Sequence, residues 1–434
     1  MPYRLFQSLR FWRAKWRPGT KTATKTGLHT GRAQRDISQD WTLLVPSSIV
    51  DGMHDFVRRW VIRGRRVPII AVVALSCAPR VAPSTRAAMH APVPAPTFVA
   101  QFDSLWTRFD AVYPSFDYKQ VNWNAQRALY RPRAERVRSQ AELIALVCEM
   151  LEPLKDLHVW FTDSRGQTVP TFRPQQVANI DADRWERALR DAAYLKRNDG
   201  LGSAVVGGFG YMFVKQWNDA VDVVALDLEL SRMRDLPGVV IDVRANAGGS
   251  DATALAFASR FTSRVVATSY VQVRNGPRHN DLEVPAARTI APRGAWQFGR
   301  PVVVIAGRAG YSATESFVAA MRMLPNVTVI GDTTGGASGN PATFVLGNGW
   351  TYTVPQWIEY GPDRQPIEWR GIAPHIAMPW LPSLYERDRD PLIDAAVGIL
   401  AELNGVFRVA PSGPGGRLED GSTGTVTALR PPIR

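Results

Sequence analysis

Cysteine is nearly absent from this chain of 434 residues; it has two, Cys77 and Cys148. A disulfide framework is therefore excluded, and the fold must rest on a packed core. Cys148 falls on the apolar helical stripe of Ala141 to Leu151 and reads as a buried core thiol rather than a nucleophile. Lysine is missing from the second half, since the last one is Lys215. Acids are scarce at the front. Residues 1–90 hold 16 Lys and Arg against 4 Asp and Glu, so this leader carries +12 of the total charge of +13. The remainder is almost neutral, which argues against a nucleic-acid-binding body. Long hydrophobic runs are lacking too. The stretch Val67 to Leu75 is too short to cross a bilayer as a helix.

That short run has a recognisable setting. Arg58, Arg59, Arg63, Arg65 and Arg66 precede it, Ser76-Cys77 follows, and then comes Pro- and Ala-rich sequence to about Phe98. This is the pattern of a secretory signal, which predicts an exported protein of a bacterial envelope or periplasm. The small residue before Cys77 resembles a lipoprotein signal, with Cys77 as the lipidated first residue and sole route to the membrane. Ordinary cleavage near Ala88 is the alternative. Met53 offers a second start just upstream, which would make residues 1–52 an extension without a fold of its own. The expected order is then extension (1–52), signal (53–77), linker (78–97), helical cap domain (98–165), connecting segment (166–203), catalytic α/β core (204–404) and disordered tail (405–434).

From Phe102 to Leu151 apolar residues recur at three- and four-residue steps, which predicts helices broken at Pro114 and Pro132. Beyond Gly208, strand-like runs alternate with helical ones: Gly208 to Val214, Ala220 to Met233, Gly238 to Arg244, Ala252 to Phe261 and Val265 to Val273. This alternation predicts an α/β core with mostly parallel strands. A hairpin around Gly347-Asn348-Gly349 and a helix from Pro391 to Leu403 follow.

The chemistry centres on Gly310-Tyr311-Ser312-Ala313-Thr314-Glu315, between the buried run Pro301 to Ala306 and an apolar helical stretch. A strand, a tight turn and a helix meet at Ser312. Its hydroxyl would sit at a helix N-terminus, where unpaired N–H groups can hold an anion. The same residues also spell a helix capping box, Ser312-x-x-Glu315. A nucleophilic serine needs a base, and no lysine lies near it in sequence. Three histidines follow residue 90: His158 at the end of the helical segment, His279 in a polar loop where it should be solvated, and His375 after Pro374.

Five motifs in order carry a resemblance: Leu154-x-Asp156-x-His158, Gly238 to Gly249 with its Asn246-x-Gly248-Gly249 end, Ser312-Ala313-Thr314-Glu315, Gly331-Asp332-x-Thr334-x-Gly336, and Glu368-x-x-Gly371-Ile372-x-Pro374. Together they resemble the serine peptidases of family S41, the C-terminal-processing and tricorn-core group. The resemblance implies a ClpP/crotonase-like α/β fold with an N-terminal helical cap and a β-rich C-terminal segment. In one branch of that family a lysine follows the serine by about 25 positions; here Ala337 stands there, which points to the histidine-base, tricorn-like branch. Ser312 is then the implied nucleophile, His158 the general base and Glu368 its polar partner. The oxyanion would be met by N–H groups of Gly248 or Gly249 and of Ala313. The implied reaction is hydrolysis of exported or unstructured polypeptides, with no metal or cofactor. The segment between Trp160 and Gly208 is too short for the PDZ module that many relatives carry. A non-catalytic protein holding a lipophilic or peptide ligand in the same cleft is the competing reading.

Overall fold

The computed structural model describes residues 97–174, 178–190, 192–218, 221–379, 381 and 389–405, all within one compact unit, Met89–Arg434. The leader with its signal and Cys77, and the tail beyond Gly405, lie outside the described residues.

Three helices come first: α1 (Phe98–Val112), α2 (Trp123–Ala134) and α3 (Gln140–Leu151). Each starts on a side-chain cap, in which Thr97, Asn122 and Ser139 accept an N–H of the first turn. Pro132, expected as a break, lies inside α2. Being two residues from the helix end, it forgoes one hydrogen bond and ends nothing. Phe102, Leu105, Phe109, Trp123, Val147 and Leu151 form a core that also takes in Phe161, Tyr352 and Val354. The last three come from strands, because β1 (Trp160–Thr162) pairs with β2 (Thr168–Pro170) on one side and with β12 (Trp350–Val354) on the other. β11 (Ala342–Gly347) closes this sheet as the hairpin partner of β12.

The second core is a seven-stranded sheet in the order β14-β10-β9-β6-β5-β4-β3. Its parallel part is β5 (Phe209–Val214), β6 (Val239–Asp242), β9 (Val302–Ala306), β10 (Val327–Gly331) and β14 (Ile376–Ala377). β6 and β9 are buried along their whole length, which is why their sequences read as unbroken apolar runs rather than alternations. The antiparallel strands β4 (Leu201–Val206) and, at the edge, β3 (Leu195–Lys196) begin within the stretch expected as connection, and β4 runs on into the expected core. Between α6 (Asp251–Ala258) and β9 come β7 (Val266–Val273) and β8 (Ala286–Ile290), which form a three-stranded sheet with the later β13 (Trp357–Tyr360). The remaining helices are α4 (Ala182–Arg190), α5 (Val223–Arg232), α7 (Ala313–Arg322) and α8 (Pro391–Leu403).

One buried cation braces this core. Arg244, just past β6, has its guanidinium between Asp242 (2.8 Å) and Asp390 (3.0 Å). Asp390 also caps α8, so the pair pins the last helix to the central strand. No helix among the described residues is long and apolar enough to cross a membrane.

Candidate active site

β9 ends at Ala306, and the chain turns through Gly310 into α7 at Ser312. Ser312 holds φ 54° and ψ −125°, a region that a residue with a Cβ rarely occupies. The strain is held by its neighbours. Its N–H donates to the Ala337 carbonyl (2.9 Å) and its carbonyl accepts the Glu315 N–H (2.7 Å). Glu315 completes half of the capping box, accepting the Ser312 N–H at 3.3 Å. The Ser312 hydroxyl faces the Glu315 N–H as the other half of the box, but that N–H is spent mainly on the Ser312 carbonyl, so the hydroxyl is held only loosely.

Glu315 is fully buried and does a second job. Its carboxylate accepts from Thr334 Oγ1 (2.6 Å) and from the N–H groups of Gly336 (2.9 Å) and Ala337 (2.8 Å). It therefore fastens the loop after β10 against the serine turn. Burial pushes its carboxyl up, to about 8, against the pull of those donors.

The turn after β6 approaches Ser312 from the other side. Asn246 shapes it by accepting the Gly248 N–H (2.9 Å) and donating to the Val214 carbonyl (3.2 Å). Gly248 and Gly249 have φ of +110° and +135°. A Cβ on Gly248 would fall 2.9 Å from the Ser312 Cβ, and one on Gly249 would fall 1.8 Å from the Trp217 carbonyl oxygen. The glycines thus let two backbones meet at the serine. Gly248, one of the two expected oxyanion donors, has already given its N–H to Asn246. Gly249, which lines the cleft with Ser312, and Ala313, the first residue of α7, are the donors left. Gly249→Ala keeps the N–H but must push the turn away from the Trp217 carbonyl, so the donor is displaced and kcat is expected to fall by about 100-fold or more, as when an oxyanion donor is lost. Steady-state kinetics beside circular dichroism checks this.

The cleft has a volume of about 210 Å³ and is lined by Gly249, Asp251, Ser312, Ser338, Trp357 and Glu359 among others. Its floor is polar. Arg288 bridges Asp251 (2.7 Å) and Glu359 (2.7 Å), and Glu359 also accepts from Ser338 Oγ (2.6 Å) and Ser269 Oγ (2.8 Å).

His158 arrives from the cap, on the turn between α3 and β1. It is held by its main chain: its N–H donates to Asp156 Oδ1 (2.9 Å) and its carbonyl accepts from Thr353 Oγ1 (2.7 Å). The ring is left unspent. Its Nδ1 is buried with no hydrogen-bond partner. Burial lowers the imidazole pKa below its usual value, Asp156 and Asp251 opposing and Lys119 assisting, so the ring is neutral and basic near neutral pH. The other two described histidines are committed to structure. His279, expected in solvent, has Nε2 on Asp110 (2.8 Å) and its ring against Phe116, while His375 Nδ1 accepts the Val329 N–H (3.0 Å).

Two expected contacts are not made. No hydrogen bond joins the His158 ring to Ser312 among the described residues. Glu368 does not hold the imidazole either; its carboxylate takes Lys119 Nζ (2.6 Å) and the Ser338 N–H (3.0 Å) instead. The physical reason is Lys119, a fully buried ammonium that also pairs with Asp156 (2.8 Å). Counting lysines along the sequence pointed away from it, because the fold brings it from the far end of the chain. Burial pushes the Glu368 carboxyl up to about 7, with Asp156 adding to that and Lys119 opposing. Burial also raises Asp156, but Lys119 and the other groups around it bring it below its ordinary value. One cation cannot satisfy two buried carboxylates equally. Asp156, which also accepts from Tyr113 (2.7 Å), keeps the charge.

Comparison with known proteins agrees with this geometry. The family model described as Peptidase family S41 matches residues 208–378, and the Tricorn protease C1 domain matches residues 94–152. A solved structure of a protein assigned as a peptidase, from Parabacteroides merdae, is 31% identical. The match covers 69% of this chain and 95% of that one, with a TM-score of 0.61. A tricorn protease homolog from Streptomyces coelicolor is 28% identical over 252 residues, 56% of this chain; the chain spans only 19% of that relative's length. Mature CPAF, solved in complex with lactacystin, shares the fold at 11% identity and a TM-score of 0.53, over 71% of this chain and 99% of its own. Fold, serine turn and relatives together define a serine-type peptidase. The chain belongs to peptidase family S41.

Proposed function

We propose that the protein hydrolyses peptide bonds with Ser312 as nucleophile and His158 as general base. The backbone N–H groups of Gly249 and Ala313 would receive the oxyanion. The observation that carries this reading is the positive-φ backbone of Ser312 at the start of α7, on the wall of a cleft. A strained serine at a strand-to-helix turn is the geometry of an exposed nucleophile, and the dipole of α7 favours negative charge beside it. His158 would take the serine proton and return it to the leaving amine. Its unspent ring supports that role. Glu368 would act on the base from a distance, through Lys119 and Asp156, rather than by gripping the ring.

Substrates are taken to be unstructured polypeptide segments, since a cleft of this size admits an extended chain but not a folded one. The leader's signal-like sequence supports export, with Cys77 as a lipid anchor or cleavage near Ala88. The mass of the native N-terminal peptide separates those two.

The test of the mechanism is labelling by a serine-directed fluorophosphonate alongside cleavage of unfolded casein. Wild type should react at Ser312. His158→Ala should slow both labelling and cleavage by about 1000-fold. Full activity in His158→Ala would remove the base assignment. A pH profile adds a second check. Because burial lowers the His158 pKa, kcat/KM should climb with pH and level off at a midpoint below the ordinary imidazole value of about 6.5.

A further inference from the structure

The turn spanning residues 113–121 enters the scheme above only as the link between Glu368 and Asp156, yet it sends three polar heads into the site. Tyr113 Oη donates to Asp156 (2.7 Å), Tyr118 Oη donates to the Glu368 carbonyl (2.9 Å), and Lys119 reaches both carboxylates. The turn is fixed by its own backbone, with Lys119 N–H on the Ser115 carbonyl (2.9 Å) and Val121 N–H on that of Phe116 (3.0 Å). The Lys119 ammonium also lies 5.1 Å from the ring centroid of Trp369. All of this surrounds a side chain with no exposed surface.

We propose that Lys119 is a positioning residue for the hydrolytic reaction, its buried ammonium joining the histidine-bearing turn at Asp156 to the cleft wall at Glu368 and Ser338. The inference rests on the reading of His158 as base.

Two chains of contact meet at Nζ. One runs through Asp156 Oδ2 to Asp156 Oδ1 and the N–H of His158. The other runs through Glu368 to the N–H of Ser338, whose side chain bonds Glu359 on the cleft floor. Without the lysine, two buried carboxylates would face each other and repel, and the base would lose its fixed distance from the cleft. A buried charge is a costly way to join two elements, and an apolar residue of the same volume would often hold them at least as firmly. What the ammonium adds is direction and field. Three charged groups act on His158: Asp156 on its own turn, Asp251 at the start of α6, and Lys119, and Lys119 alone opposes protonation. Lys119 thus helps to keep the imidazole in the form that accepts a proton.

The experiment compares Lys119→Met and Lys119→Arg with wild type and His158→Ala, on full-length protein. It reads the pH dependence of casein cleavage together with the NMR titration of the His158 imidazole, identified by its loss in His158→Ala. With Lys119→Met the acidic limb and the imidazole midpoint should both move up by about one pH unit, since a cation is removed and Asp156 is unmasked. The plateau rate should fall by about 10- to 100-fold as the base loosens. Lys119→Arg keeps the charge and should keep the wild-type midpoint while losing rate. A packing role alone would lower the rate in both variants and leave both midpoints in place, and that result overturns the proposal. If Lys119→Met is insoluble, Lys119→Gln removes the charge with a polar head and is held to the same shift. Full activity in His158→Ala would refute the base assignment instead, while the NMR midpoint would still report whether Lys119 sets the field.

Discussion

Replacing Ser312 with glycine is expected to abolish cleavage and, in the same protein, to make the fold more stable than replacement with alanine. Both substitutions remove the hydroxyl, so both should lower kcat/KM by about 1000-fold or more. They differ in the backbone. Alanine keeps a Cβ at φ 54° and ψ −125°, a conformation that costs of order 1–3 kcal/mol, whereas glycine reaches it freely. Glycine loses about 0.5–1 kcal/mol of that through the entropy of the unfolded chain. The net expectation is about 1 kcal/mol in favour of Ser312→Gly, or about 2–4 °C in Tm for a domain of this size. Thermal unfolding of the two variants side by side measures it. A glycine variant less stable than the alanine one would mean that the serine backbone is not strained, and the case for an exposed nucleophile would lose its main support.

Removing the Glu315 carboxylate is expected to be the most damaging single change in the core. Glu315→Ala strands the Thr334 hydroxyl and two N–H groups, those of Gly336 and Ala337, inside the protein. Each buried donor left unpaired costs about 1–3 kcal/mol, and the serine turn should lose activity along with them. Glu315→Gln is the finer probe. It keeps the shape but places an amide N–H among donors, so it too should be less stable than wild type. The gap should depend on pH in a stated direction. The folded Glu315 carboxyl titrates near 8, above its unfolded value of about 4.5. Its contribution is therefore fully present below about pH 4.5 and is lost as pH rises toward 8. Glutamine does not titrate, so the two proteins should draw closer in stability between about pH 5 and 8. Urea unfolding at several pH values follows this; a gap that widens with pH would contradict it.

Much of the core was legible because its signals are local. The unbroken apolar runs at Val239–Asp242 and Val302–Ala306 are what strands covered on both faces must look like, and Pro391–Leu403 carries its cap and its period within itself. The serine turn was legible for the same reason. β8 was not, because its residues, Ala286–Ile290, show no clear alternation and lie in a stretch rich in Pro and Arg; β7 defines it by pairing. Strands β3 and β4 are similarly defined by partners rather than by pattern. Among the site residues, Ser312, Gly249 and Ala313 gather where the motifs put them. The partner of the base did not follow. Glu368 and His158 are separated by a lysine whose sequence neighbours, Tyr118 and Gln120, give no hint that its charge will be buried. Motifs record which residues recur, whereas the Lys119 ion network depends on segments 37 and 249 residues apart in the chain.

The clamp on the His158 carbonyl has a consequence for the order in which the enzyme comes into being. Thr353, which makes it, lies 195 residues further along the chain, on the strand that pairs with Phe161. A nascent chain emerging from its N-terminus carries His158, the proposed base, early and Ser312, the proposed nucleophile, later, and both are present before β12 has been synthesised. Until that strand arrives, β1 has no neighbour on that side and the histidine turn has no anchor for its carbonyl. The peptidase is therefore assembled last at the point where it could do harm first. An incomplete chain ending between Ser312 and β12 would hold both proposed reactive residues while the histidine turn still lacked its Thr353 anchor.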